Sequence, residues 1–175
     1  LDFPSVSLHW HNEMELIYVK KGTGTVQMET EIFQGKAGDI FVVPPGTLHA
    51  LQKSKGFSME YENIIFETGF LGAGAADLCA GEFLVPLAAG KLLPAVCLSP
   101  EDTGYEGVKK CLAQMEELCR SREKGYELGV KAAVLQMLFL LIRKYPYIKE
   151  VSSPDRERLK DVLQEITEKT GESLT

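Results

Sequence analysis

From Leu8 to Phe66 the chain is written as short apolar–polar alternations broken at Gly- and Pro-rich points. Alternation with period two is what a half-buried strand requires, because successive side chains leave opposite faces. The pattern therefore asks for a series of short strands. Leu8 to Lys20 reads as one strand, with Met14, Leu16 and Tyr18 on one face and His9, His11, Glu13, Glu15, Ile17 and Val19 on the other. Lys21-Gly22-Thr23-Gly24 reads as a hairpin turn, and Thr25 to Thr30 as the returning strand. Gly35 to Asp39 is a further turn and Ile40 to Val43 a buried strand. Pro44-Pro45-Gly46 ends that strand, since proline cannot donate to a ladder. Ala50 to Lys53 and Phe57 to Phe66 complete a series that predicts a sandwich or barrel.

The second half has a different period. Thr68 to Gly90 is rich in Gly and Ala and predicts loops with one or two short helices. Ser99-Pro100-Glu101-Asp102 reads as a helix start, with a capping hydroxyl, a first-turn proline and acids at the positive helix end. Val108, Cys111, Leu112, Met115, Leu118 and Cys119 then recur at three- and four-residue steps, a one-sided helical stripe. Gly125 breaks the run, and a second helix continues to Tyr145 before Pro146. That helix is apolar nearly all round, so the barrel and first helix should cover one side and a symmetric partner chain the other. Val151 to Asp155 reads as a polar linker. Arg156 to Lys169 predicts an amphipathic helix with Leu159, Val162, Leu163 and Ile166 on one face. A first residue that is Leu1, and a last segment that stops as a new element begins, suggest a piece of a longer protein.

Composition excludes several functions. At 45% hydrophobic and 25% charged the chain can bury a core and is not a disordered sequence. A net charge of −6 and a pI near 5.2 make a poor surface for nucleic acid. Leu128 to Ile142 is too short for a membrane span, which needs about 20 apolar residues, and Lys131 and Gln136 interrupt it. The four cysteines form no C-x-x-C pair, so they read as reduced, mostly buried thiols of a cytoplasmic protein, with a disulfide framework as the alternative. Cys111 and Cys119 share a helix face suited to a core or dimer seam. Arg143 and Lys144 close their helix and complement its dipole.

The chemistry concentrates in the three histidines. His9, His11 and Glu15 share one strand face, and His49 arrives from a separate strand just past the Pro44-Pro45-Gly46 turn. Three imidazoles and one carboxylate converging inside a barrel make a divalent-metal site with open positions, suited to Zn, Mn, Fe or Ni. The alternative is a polar lining that binds a small effector without metal. Trp10 is expected to point away from the histidines and to pack beneath a loop or helix, the alternative being a platform for a ligand. Glu13 is either a pocket residue or a solvated rim. Gln27, Glu29 and Lys53 either contact an effector or decorate the barrel mouth.

His9-Trp10-His11, Glu15 and Gly22 resemble the first cupin motif, and Gly38, Pro44, Gly46 and His49 the second. Phe3 stands where the family usually has glycine, and Lys53 where it usually has asparagine. Glu82 to Leu87, Gly90 to Pro94, Ser99 to Asp102, Gly104-Tyr105-Glu106 and Gly125 to Leu128 resemble the segment after the barrel in AraC-type transcription regulators. Arg158 to Thr175 resembles the first helix of that family's DNA-binding domain. The resemblance implies a β-barrel plus α class: a cupin-type double-stranded β-helix (jelly-roll), an α-helical hairpin for dimerisation, and the first helix of a truncated DNA-binding domain. It implies a barrel with following loops over 1–95, the hairpin over 96–150, and a linker with the start of a helix-turn-helix domain over 151–175. It also implies a homodimer, a small-molecule effector such as a sugar, held by His9, His11, Glu15, His49, Glu13 and Gln27, and DNA bound only through the missing domain. No catalytic residue is expected. The rival is a stand-alone metal-dependent cupin enzyme, an isomerase or dioxygenase, and a bare sugar-binding module is a third possibility.

Overall fold

A computed structural model describes residues 5–53, 58–72, 77–145, 158 and 162. Seven strands come first: β1 (Ser5–His9), β2 (Met14–Met28), β3 (Glu31–Lys36), β4 (Ile40–Val43), β5 (His49–Lys53), β6 (Met59–Phe66) and β7 (Val96–Leu98). Between β6 and β7 lie a 3₁₀ turn (Thr68–Leu71), a π turn (Ala80–Leu84) and the short helix α1 (Val85–Ala88). Two long helices follow, α2 (Tyr105–Ser121) and α3 (Tyr126–Lys144).

All pairings are antiparallel, and β2 belongs to two sheets. Its first half pairs with β4 and β6, its second half with β3 and β5. The two sheets fold over one apolar interior made by Ile17, Val19, Val26, Phe41, Val43 and Leu51. The opposite face of the first sheet carries Met14, Leu16, Ile40 and Val42, which pack with Val108, Leu112, Met137 and Leu141 of the long helices. Antiparallel sheets with helices laid against one of them agree with the expected class at that coarse level. Among the described residues the hydrogen-bonded path ends at β1 and β7, so the enclosure is two sheets sharing a strand and not a continuous closed barrel.

Three expectations need correction. His9 and Glu15 do not share one strand, because pairing breaks between His9 and Met14 and the chain passes there from one sheet to the other. Lys21 to Gly24 is no hairpin. The strand runs straight through, and Gly22 (φ 76°) is needed because a Cβ there would lie 1.7 Å from the Ser58 carbonyl oxygen. The hairpin comes later, where Met28 pairs with Glu31 and Glu29 takes a φ of 53°. β3 had no counterpart in the expected series.

The third correction concerns Ser99. Its hydroxyl donates to Asp39 Oδ1 at 2.9 Å, and the helix that follows has no side-chain cap. Asp102 closes the Ser99–Asp102 turn by accepting from Ser99 N at 2.8 Å, and α2 starts afterwards, behind Gly104. The sheet also extends past residue 95, since β7 pairs with β4 from Val42↔Val96 to Ile40↔Leu98.

The long helices form a hairpin across Arg122–Gly125. Gly107 sits against Leu140, and Gly129 against Leu118, where a Cβ would approach to 2.9 and 3.0 Å. Small residues at both ends let the rods close together. Leu128, Leu135 and Phe139 remain exposed at 73%, 41% and 51%, an uncovered stripe on α3. All four cysteines are free. Only Cys111 is buried, while Cys79 and Cys119 are exposed, contrary to the expectation of mostly buried thiols. Among the described residues no helix is long and apolar enough to cross a membrane. The segment expected as linker and amphipathic helix lies outside the described residues, apart from Arg158 and Val162, which are helical.

Candidate metal centre and effector site

The histidines converge although the strand they were placed on is broken. His9 ends β1 and is the register partner of His49 at the start of β5. The Pro44–Pro45–Gly46 turn brings the intervening His11 to the same place, because Gly46 N donates to the His11 carbonyl at 2.8 Å. Ring centroids lie 4.2 Å apart for His9 and His49, 5.0 Å for His11 and His49, and 5.7 Å for His9 and His11. One nitrogen from each ring falls within 4.8 Å of the others. His49 is fully buried and Glu15 is 2% exposed.

Each imidazole is oriented by a backbone carbonyl two residues away. His9 Nδ1 meets Ser7 O at 2.9 Å, His11 Nδ1 meets Glu13 O at 3.1 Å, and His49 Nδ1 meets Thr47 O at 2.9 Å. A carbonyl only accepts, so every Nδ1 carries its proton and every Nε2 is left to face inward. Glu15 Oε2 then lies 2.9 Å from His11 Nε2 and 3.0 Å from His49 Nε2. A carboxylate cannot bond to an imidazole lone pair. The arrangement therefore calls for positive charge at its centre, supplied by added protons or by a metal ion. This carbonyl-held orientation with inward Nε2 is how metal-ligating histidines are commonly fixed. The donor set fits a divalent ion that His9, His11 and His49 would hold through nitrogen, with the Glu15 carboxylate beside two of the rings to balance its charge.

The electrostatics agree with that picture. Burial pushes the Glu15 carboxyl up, but the hydrogen bonds from His11 and His49 outweigh it and hold it at about 2. His11 is raised above the usual histidine range, first by its bond to Glu15. His9 is lowered, by burial and then by the neighbouring His49. The cluster is thus a carboxylate that stays charged with a proton-holding histidine beside it.

The other expected residues divide. Glu13 reaches the site mainly through its carbonyl, and its carboxylate stands 3.5 Å from His11 Nδ1 at the rim. Gln27 does not face the site. It pairs with Ala50, while its neighbours Val26 and Met28 pair with Leu51 and His49 on the interior face, so alternation turns Gln27 outward. Glu29 is a positioning residue: its Oε1 accepts from Leu48 N at 3.2 Å, and its own N–H donates to the Leu48 carbonyl at 2.7 Å. That clamps the residue preceding His49. The Lys53 side chain and Phe3 lie outside the described residues. Tyr61 was not anticipated; it packs against the interior apolar cluster, and its hydroxyl is raised by burial and by the charge of Glu15. Its alternation with Met59 on β6 was the available signal.

Comparison with known proteins assigns the chain a family. The model of the AraC-like ligand binding domain matches residues 3–138. An uncharacterised HTH-type transcriptional regulator, YdeC, of Bacillus subtilis is 19% identical over 125 residues, which is 71% of this chain and 42% of that protein. The chain thus spans less than half the length of that relative. Among solved structures, a mutant of Bacillus subtilis oxalate decarboxylase is 24% identical over 45% of this chain and 25% of its own, with a TM-score of 0.31. The plu4264 protein of Photorhabdus luminescens is 22% identical over 38% of this chain and 66% of its own, also at 0.31. Overlaps that shallow assign no chemistry. The match that runs from β1 into α3 does assign a family: this chain belongs to the AraC-like ligand binding domain family.

Proposed function

We propose that this chain is the effector-sensing and dimerisation part of a DNA-binding transcription regulator of the AraC type. The observation that carries it is the convergence of His9, His11, His49 and Glu15 within the segment the family model covers. Behind the histidines the interior is filled by Ile17, Val19, Phe41 and Leu51, all at most 3% exposed, so an effector meets the cup at its histidine end. A bound divalent ion would supply a Lewis-acidic centre with open positions for oxygen donors. The chain's own residues do the rest: Thr47, Ser7 and Glu13 carbonyls aim the rings, and Glu29 holds the His49 segment. A small polyhydroxylated effector such as a sugar suits that polar end. In this reading the sensor ends with the sheet at Leu98, the α2–α3 hairpin dimerises through its exposed stripe, and DNA is bound by a domain following the linker at Val151 to Asp155.

An effector changes transcription only by binding two arrangements of the regulator unequally. In the full-length protein, effector affinity should therefore differ with and without operator DNA, because coupling is reciprocal. Identical affinities would defeat the proposal. On this chain alone, a thermal-shift screen of divalent metals and small sugars should raise the melting temperature, since a ligand of the folded state stabilises it. The enzyme reading is weaker, because family membership points to regulation and no second acid–base group beyond the histidine–glutamate cluster is required to explain the site.

A further inference from the structure

A second concavity lies outside the two-sheet interior, between α1 with its preceding turns and the C-terminal half of α3. It encloses about 570 Å³ and is walled by Leu71, Phe83, Leu87, Leu92, Leu138 and Phe139. That volume falls within the roughly 300–1,000 Å³ typical of small-molecule sites, as does the mostly apolar lining with few polar groups. Its charged members are Arg143 and Asp77. Asp77 is committed to the backbone, its Oδ1 accepting from Cys79 N at 2.9 Å. Arg143 is exposed, lies 5.4 Å over the Phe139 ring, and forms no ion pair among the described residues. The groove thus offers an apolar trough ending in one uncommitted guanidinium. Leu78, Val85 and Phe70, each next in sequence to a lining residue, are 79%, 62% and 41% exposed.

We infer that this groove is a ligand site, separate from the histidine cup, for an anionic amphiphile: an aliphatic chain of medium length carrying a carboxylate that pairs with Arg143. The aliphatic part is recognised by burial against leucine and phenylalanine, and the head by charge-assisted hydrogen bonds to the guanidinium. The site adjoins the exposed stripe of α3 through Leu135 and Phe139, so its occupant also alters the surface offered to a second copy.

The test is a calorimetric titration of the 175-residue chain with dodecanoate, dodecanol and dodecylammonium. Dodecanoate should bind tightest, and R143Q should weaken it about tenfold while leaving dodecanol unchanged. Because Arg143 is exposed, that variant should fold. For location, an ω-brominated dodecanoate should quench the indole introduced by F83W and leave Trp10, beside the histidines, unquenched. Three results would overturn the inference: equal binding of the three amphiphiles, an R143Q titration identical to the parent, or quenching confined to Trp10. Loss of dodecanoate binding as protein concentration rises would overturn it too, by showing that a second copy covers the groove.

Discussion

At the scale of single residues, the centre of the molecule is Glu15, a buried carboxylate shared by two imidazole nitrogens. Its pKa is depressed to about 2, so its contribution to stability is fully present above the ordinary carboxylate value of 4.5 and is lost as pH falls toward 2. Melting temperature of the parent should drop steeply between those limits, reflecting up to about 3 kcal/mol. E15Q, with no proton to take up at this site, should be less stable near neutrality and lose less stability than the parent across that window. Parallel acid profiles would show that Glu15 is not so held. His11 has the opposite sign: its folded pKa is raised, so its contribution is complete below the ordinary value of 6.5 and fades as pH rises through the higher folded one. The four central residues were legible in the sequence because histidine is scarce here and Glu15 lies where a strand face must point inward. Gln27 was misread although alternation with Val26 and Met28, both on the interior face, already turns it outward. The carbonyls of Ser7 and Thr47 carry no side-chain signature at all.

At the scale of elements, helices were easier to place than strands. The second helix lies within a residue of where Gly125 and Pro146 bound it, at Tyr126–Lys144. The first begins at Tyr105 because Ser99 and Asp102 spend their capping groups on the β4-side turn and on their own turn, tying the hairpin to the sheets through Asp39. β2 misled for a different reason. Glycine in a Lys-Gly-Thr-Gly run signals a turn when only local conformation is considered. Here glycine is demanded by backbone approach, since β6 passes over Gly22 so closely that Ser58 O leaves no room for a side chain. G22A should accordingly destabilise by more than about 2 kcal/mol, from forbidden φ and collision together. G81A, where a Cβ meets nothing within 4 Å, should change stability by less than about 1 kcal/mol. Urea midpoints separate the two; equal losses would mean that close approach at Gly22 is not what fixes the strand.

At the scale of the whole molecule, two apolar layers share one sheet. The inner layer carries the histidine cup, and the outer layer carries the helices and leaves Leu128, Leu135 and Phe139 exposed. If that stripe is a dimer seam, sedimentation at micromolar concentration should give a dimer, and L128E should convert it to monomer with little change in the protomer's own stability, within about 0.5 kcal/mol. A parent chain that sediments as a monomer would contradict it. The cup is tested more directly by counting what it takes up. Chelator-stripped protein titrated with Zn(II) in a weakly buffered solution should bind one equivalent with measurable proton release, because ligand nitrogens must be free of protons to coordinate. H49A should abolish both the uptake and the release. Less than a tenth of an equivalent bound by the parent, or uptake that persists unchanged in H49A, would contradict a shared site built by His9, His11, His49 and Glu15.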